Sequence, residues 1–290
     1  MDKAKKRKTV KISLVSVSAV IFILLVACMI WSNITFDITR IESLAPSLPD
    51  DFEGFKIAQI SDLHNADYGN GNRFLLDILR AENPDIIAIT GDIIDSPQME
   101  NALEFVKEAQ KTAPCYYVTG NHEAWIEDDI YELLEAELIT LGVTVLHNEA
   151  VTVQKNGAEI RIVGIDDPDF DESSISLLEE LCSDNVFTVL LSHRPELFEE
   201  YVCAGAELVL SGHAHGGQFR IPFIGGVYAP HQGVLPKYDA GLYTDGDTNM
   251  YVSRGIGNSD FPIRINNRPE IVFIELTATA PVPRNDDSLY

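Results

Sequence analysis

The chain has 290 residues, 46% of them apolar and 23% charged, with four cysteines. This is ordinary globular composition, and it excludes both a wholly disordered chain and a small disulfide-stapled one. The 45 acidic against 21 basic side chains give a net charge of −24, which argues against a nucleic-acid binder that works by general attraction to phosphates.

The charge is unevenly spread. Residues 1–31 hold Lys3, Lys5, Lys6, Arg7, Lys8 and Lys11 against Asp2, and the remaining residues carry 15 basic and 44 acidic side chains. Residues 1–11 read as a cytoplasmic basic segment. Residues 12–31 contain no charge, and about 20 apolar residues are what a helix needs to cross a bilayer. This segment is expected to be a transmembrane anchor with the lipid bilayer as its partner. The basic side then stays in the cytoplasm, and everything after Trp31 lies outside the cell membrane. A cleaved secretory signal needs a small-x-small site, and none is evident. Leu25-Val26-Ala27-Cys28 resembles a bacterial lipobox, which leaves a lipoprotein anchored at Cys28 as the alternative. Met29, Ile30 and Trp31 speak against it by prolonging the apolar run.

Residues 32–51 read as a connecting segment with an edge strand, because Ile34–Thr39 alternates apolar and polar side chains and Pro46 and Pro49 interrupt the stretch beyond it. Short apolar runs and amphipathic stretches then alternate. Strands are expected at 55–60, 86–90, 116–119, 143–146, 151–153, 160–164, 188–191, 208–210, 251–253 and 271–276. Helices are expected at 74–81, 99–110, 128–141 and 196–202. Residues 220–248 show neither period, and 277–290 read as a polar tail. Strands alternating with helices imply α/β layers with parallel pairing. Such sheets bind ligands beyond the carboxyl ends of their strands. Outside the anchor, Cys115 reads as a small core residue, and a Cys182–Cys203 disulfide has nothing in the sequence to support it.

The residues at those strand ends carry the chemistry. Five apolar runs finish in Asp62 and His64, in Asp92, in Asn121 and His122, in His193, and in His213 and His215. Five of the seven histidines fall in this set, and His147 and His231 fall outside it. One histidine on an apolar element is ordinarily structural, and one Gly-Asp after a strand is often a turn. Five such pieces at the same end of successive strands point to a shared metal site. Carboxylate, amide and imidazole without thiolate suit Mn, Fe, Zn or Co. The i,i+2 spacing of Asp62 with His64, and of His213 with His215, aims each pair to one side if the segment is extended. There are more donors than one ion takes, and Asp92 has two oxygens with which to bridge a pair of ions.

Asp62-x-His64, Gly91-Asp92-x-x-Asp95, Gly120-Asn121-His122-Glu123, His193 and Gly212-His213-x-His215 resemble, in order and spacing, the motif series of the calcineurin-like metallophosphoesterases. Residues 252–257 and 191–196 add a resemblance to the bacterial YkuE-like branch, whose members are often membrane-attached or exported. The resemblance implies a four-layer α/β/β/α sandwich over residues 52–276. It implies two divalent ions, one held by Asp62, His64 and His215, the other by Asn121, His193 and His213, with Asp92 bridging. It further implies that a hydroxide between the ions attacks phosphorus and that His122 protonates the leaving oxygen, with Asp95 or Glu123 orienting His122. Arg194 and Arg254 are expected to hold phosphate outside the metals, and Arg264 and Arg268 are further candidates. The chain departs from the protein phosphatases of the superfamily, which have Arg-Gly where Ser96-Pro97 stands. Residues 216–276 are too few for the second domain of the large 5′-nucleotidases. The expected activity is hydrolysis of a phosphodiester or pyrophosphate in a lipid-linked or cell-envelope substrate. A phosphomonoesterase on soluble or wall-polymer substrates is the alternative, and a non-catalytic surface scaffold is the reading from a different class. No nucleic-acid partner is expected. The apolar stretch Ile221–Tyr228 comes closely after His215 and is expected to line an acyl groove or to pack on a sheet edge.

Overall fold

The computed structural model describes residues 3–183, 186–258 and 261–278, with side chains from Ser16 onward. Helix α1 (Lys3–Ile34) contains a 19-residue stretch, Ser16–Ile34, that is long and apolar enough to cross a membrane and exposes nearly all its side chains. Then come β1 (Asp37–Leu44), β2 (Lys56–Ile60), α2 (Arg73–Glu82), β3 (Ile86–Thr90), α3 (Glu100–Ala109), β4 (Cys115–Val118), α4 (Asn121–Trp125), α5 (Asp128–Thr140) and β5 (Thr144–Val145). The second half holds β6 (Glu149–Lys155), β7 (Ala158–Gly164), α6 (Leu178–Cys182), β8 (Thr188–Leu191), α7 (Phe198–Ala204) and β9 (Leu208–Ser211). Two small hairpins pair β10 (Arg220–Ile221) with β11 (Gly225–Gly226) and β12 (Tyr228–Ala229) with β13 (Gly233–Val234). Strands β14 (Gly241–Asp245), β15 (Thr248–Val252) and β16 (Glu270–Thr277) complete the order.

The larger strands form two six-stranded sheets, ordered β1-β16-β2-β3-β4-β5 and β14-β15-β9-β8-β7-β6. Both are mixed. Strand β16 runs antiparallel to β2, and the second sheet carries an antiparallel strand at each edge. The central strands are apolar on both faces, as expected of parallel strands covered on both sides. In β3, Ile87 and Ile89 pack towards α2 and α3, while Ile86 and Ala88 pack between the sheets. In β9, Val209 faces α7, while Leu208 and Leu210 face the other sheet. Three apolar layers therefore separate four layers of secondary structure, which is the expected α/β/β/α sandwich. Each fully buried Ile, Leu or Val in these layers contributes about 1.5–3 kcal/mol over its exposed state.

Residues 220–248 are less irregular than their sequence suggests, since they hold the two hairpins and β14. That strand is an edge, and its exposed side chains give no apolar alternation to read. The segment 34–39 contributes less strand than expected, because α1 continues through Ile34 and the strand begins at Asp37. All four cysteines are free thiols, so no Cys182–Cys203 bond forms. Strand β16 reaches Thr277, and residues 279–290 of the expected tail lie outside the described residues.

Candidate metal centre

The chain turns sharply just past its strand ends, and there it places the predicted ligands. Asp62, His64, Asp92, His213 and His215 all have φ between +46° and +65°. The left-handed region costs a residue with a side chain about 1–3 kcal/mol, and such strain gathers at functional sites. The extended-segment argument for Asp62 and His64 is therefore corrected: both lie beyond β2 in left-handed turns. They are aligned by their backbone N–H groups, which donate to the carbonyls of Gly91 (3.1 Å) and Asp92 (3.0 Å). His215 likewise starts a single 3-10 turn, not a strand.

Two glycines let these turns approach one another. A Cβ on Gly212 would lie 1.9 Å from Ser61 Oγ and 2.4 Å from Asp62 Oδ2, and one on Gly120 would lie 2.2 Å from Asp92 Oδ1. Both positions explain why a glycine precedes the ligand in each motif.

The seven residues expected to hold metal are all buried, and their donor atoms form two groups. Asp62, His64, Asp92 and His215 make one, and Asp92, His193 and His213 make the other, with all donors of a group within 4.8 Å of one another. Asp92 belongs to both. In the first group His64 Nε2 and His215 Nε2 face each other at 3.2 Å, and His215 Nε2 lies 3.3 Å from Asp62 Oδ1. In the second, His193 Nε2 lies 3.1 Å from Asp92 Oδ2. His193 Nδ1 donates to the Thr90 carbonyl at 2.7 Å, which fixes the ring and turns Nε2 inward. Asn121 Oδ1 is buried with no hydrogen-bond partner. A buried amide oxygen without a donor is costly. Opposed imidazole nitrogens, clustered carboxylates and this orphaned oxygen together fit divalent cations.

For three of the four imidazoles the electrostatics agree with that fit. Burial pushes the His64 imidazole down to about 4 and holds His213 and His215 well below the usual range, so these rings are neutral and can donate lone pairs. Burial raises the Asp62 carboxyl to about 6. Burial acts in the same direction on Asp92, but the charge and hydrogen bond of His193 outweigh it and hold that carboxyl well below its ordinary value. Burial opposes charge on His193 too, yet Asp92 raises it to about 10.

The other predicted residues behave differently. His122 is half-buried at the mouth, with its N–H donating to Asp92 Oδ1 at 2.9 Å and its ring 4.6 Å from that of His64. Its ring also meets Trp125 at 4.9 Å. Neither carboxylate proposed to orient His122 bonds to it. Asp95 accepts from Asn65 at 3.1 Å. Glu123 accepts from the N–H groups of Asp92, Ile93, Ile94 and Gly120 at 2.7–3.3 Å, so it clamps two ligand turns together. Arg194 is buried, and its fork grips Asp167, leaving Nη1 to face His231 (2.6 Å) and His213 (3.5 Å). Arg254 Nη2 is held by Asp37 and Glu270. Arg194 Nε and Nη2 and Arg254 Nη2 are thus engaged by carboxylates, while Arg194 Nη1 is turned towards the second donor group. Arg264 is completely buried behind the first group, donating to the carbonyls of Gly255 and Gly257.

Two features escape the sequence reading. His231, set apart there, brings Nδ1 to 3.0 Å from His213 Nε2. No local pattern marks it, because it sits in the loop joining β12 to β13. The Asp166-Asp167 pair lies just past β7 and was a legible signal, being a sixth strand end with carboxylates. The Ile221–Tyr228 segment divides. Val227 and Tyr228 line an apolar cleft of about 630 Å³ beside His215, together with Trp125, Phe219 and Phe261, whereas Phe223 and Ile224 stand exposed at a loop tip.

A family model for calcineurin-like phosphoesterases matches residues 55–217. The uncharacterized metallophosphoesterase YkuE of Bacillus subtilis (strain 168) is 33% identical over 250 residues, covering 80% of this chain and 82% of its own. The phosphodiesterase YaeI of Escherichia coli (strain K12) is 29% identical, covering 77% and 82%. A bovine (Bos taurus) transmembrane protein with a metallophosphoesterase domain is 30% identical, covering 83% of this chain and 57% of its own.

Proposed function

The chain belongs to the calcineurin-like phosphoesterase family, whose members hydrolyse phosphoester bonds, and from that premise we propose that it works outside the membrane with a pair of divalent ions. Its substrate in this reading is a phosphodiester or pyrophosphate that is lipid-linked or part of the cell envelope. The observation that carries the reading is the pair of donor groups sharing Asp92.

In this reading Asp62, His64 and His215 would hold one ion, Asn121, His193 and His213 the other, and Asp92 would serve both. A pair of divalent ions held there would supply neutralisation of phosphate charge and a more acidic water. His122 stands at the mouth with its backbone anchored on Asp92, from where its ring delivers a proton to the leaving oxygen. Glu123 keeps the turns of Asp92 and Asn121 in register, and Arg194, braced by Asp167, steadies His213 and His231. The charge-free stretch 12–31 spans the bilayer with the basic end in the cytoplasm, and Ser32 and Asn33 lie beyond it against the globular part. Two things support a lipid-linked substrate. The anchor concentrates the site at the bilayer surface, and the cleft beside His215 is lined by Phe219, Val227, Tyr228 and Phe261.

The test compares kcat/KM of the full chain in vesicles on long-chain and short-chain forms of one phosphodiester, in wild type and in Tyr228→Ser. Wild type should favour the long chain, and the substitution should remove that preference while sparing the short one. Indifference to chain length in both proteins would favour a soluble or wall-polymer substrate.

A further inference from the structure

The last turn of α1 is bonded to the globular part. Ser32 is completely buried and its Oγ accepts from Asn266 N at 3.0 Å. Asn33 and Arg264 bond reciprocally, Asn33 Nδ2 to the Arg264 carbonyl (2.8 Å) and Arg264 N to Asn33 Oδ1 (3.0 Å). The Arg268 guanidinium lies 4.3 Å from the centre of the Trp31 ring. The globular part is therefore held at a set orientation to the helix.

The segment that receives the helix is in turn tied to the loop carrying the exposed tip. Arg220 N donates to the Ile265 carbonyl (3.0 Å), Asn266 Nδ2 to the Arg220 carbonyl (3.2 Å), and Gln218 Nε2 to the carbonyls of Phe261 and Ile263. Phe223 has φ +68°, a rare conformation for an aromatic residue, and its side chain is fully exposed. Ile224 and Phe261 are mostly exposed, and Ile263 partly so. Apolar side chains gathered like this mark an interaction surface more than isolated ones do.

Acidic side chains are scarce along the same strip. Residues 32–290 carry 44 of them, yet residues 219–238 and 261–269 contain none. Arg220 pairs with Asp239 at the border of the tip, Lys237 with Glu199 and Arg268 with Asp37, and Arg264 is completely buried, so the strip is close to neutral where the rest of the surface is acidic. Elsewhere the acidic surface would be repelled by anionic headgroups.

We infer that the strip formed by the Phe223–Ile224 tip and the Phe261–Ile263 segment is seated in the headgroup–acyl boundary of the bilayer that α1 crosses, so that the mouth of the metal centre faces the membrane. The inference rests on the reading of the apolar stretch up to Trp31 as a span. With about 1.5 Å of rise per helical residue, groups bonded to Ser32 and Asn33 lie within a few ångströms of where Trp31 meets the interface. Apolar faces of surface-lying elements settle about 5–10 Å into that boundary. Phe261 and Phe219, whose rings meet edge-on at 5.9 Å, also line the cleft beside His215, so the cleft opens next to the seated strip.

The test uses the full chain carrying Trp125→Phe, so that Trp31 is the one native tryptophan left, in phosphatidylcholine vesicles with or without bromine on the acyl chains, and reads tryptophan emission added over that parent. Phe223→Trp and Ile224→Trp are compared with Ile139→Trp, an exposed position at the end of α5 remote from the ligand turns. Brominated lipid should remove about half or more of the added emission at positions 223 and 224, given an immersion of about 5–10 Å, and leave position 139 unchanged. Equal, weak quenching at all three positions with Trp31 still quenched would overturn the seating alone. Loss of quenching at Trp31 as well would overturn the seating together with the span. Shielding of 223 and 224 from aqueous quencher without bromine quenching would replace the lipid with a second copy of this chain.

Discussion

Replacing Glu123 with glutamine separates the role the structure gives this residue from the one its motif suggests. Its two carboxylate oxygens each accept two backbone N–H groups, Oε2 from Asp92 and Gly120 and Oε1 from Ile93 and Ile94. A glutamine must turn its NH₂ towards one of these pairs, whichever way the amide is flipped. Two bonds to a charged acceptor are lost, each worth about 1.5–3 kcal/mol, and two donors are left facing a donor. Part of this is offset. Burial, followed by the nearby Asp92, raises the Glu123 carboxyl to about 7, so the charge removed was itself destabilised. The net expectation is the lower end, about 3 kcal/mol, against a total stability of about 5–15 kcal/mol. For a domain of this size that is a fall in Tm of roughly 6–12 °C. The assay is thermal denaturation of metal-free Glu123→Gln and wild type, followed by metal titration. An unchanged Tm, with lost activity confined to substrates with poor leaving groups, would refute the clamp and restore Glu123 as the partner of His122.

Other substitutions probe the chemistry and the fold. His122→Ala should keep wild-type metal content and lose about 10²–10⁴ in turnover on esters with poor leaving groups, with a smaller loss on nitrophenyl esters; equal losses on both would exclude it as the acid. His147, bonded to Asp166 and Glu135, has its pKa raised to about 9, above the ordinary 6.5. Its stabilising contribution is therefore fully present below about pH 6.5 and disappears as pH rises through about 9. The Tm difference between wild type and His147→Gln should be widest near pH 6 and closed by pH 10, and a difference that persists at pH 10 would contradict the charge pairing.

The sequence announces the metal centre clearly because its chemistry is local. Each proposed ligand sits just past a largely apolar strand, and those runs are legible, Ile86–Thr90 and Thr188–Leu191 to the residue. What stays hidden is non-local or conformational. The grip of Arg194 on Asp167 spans 27 residues, and Arg254 finds Asp37 across 217; no spacing rule reaches that far. The left-handed turns at Asp62 and His64 mimic strand spacing while placing the side chains by another geometry. Helix α4 is only five residues long, and β14 is an exposed edge, so neither leaves a periodic trace. His231 enters the site through a loop whose composition carries no ligand motif.

The most direct test of the account is metal analysis of the purified chain and two variants. Wild type should bind two divalent ions per chain, Asp62→Ala should retain one, and Asp92→Ala, which removes the one residue common to both donor groups, should lose both together with phosphoesterase activity. Two ions still bound in Asp92→Ala would contradict the shared-ligand centre on which the proposed function rests.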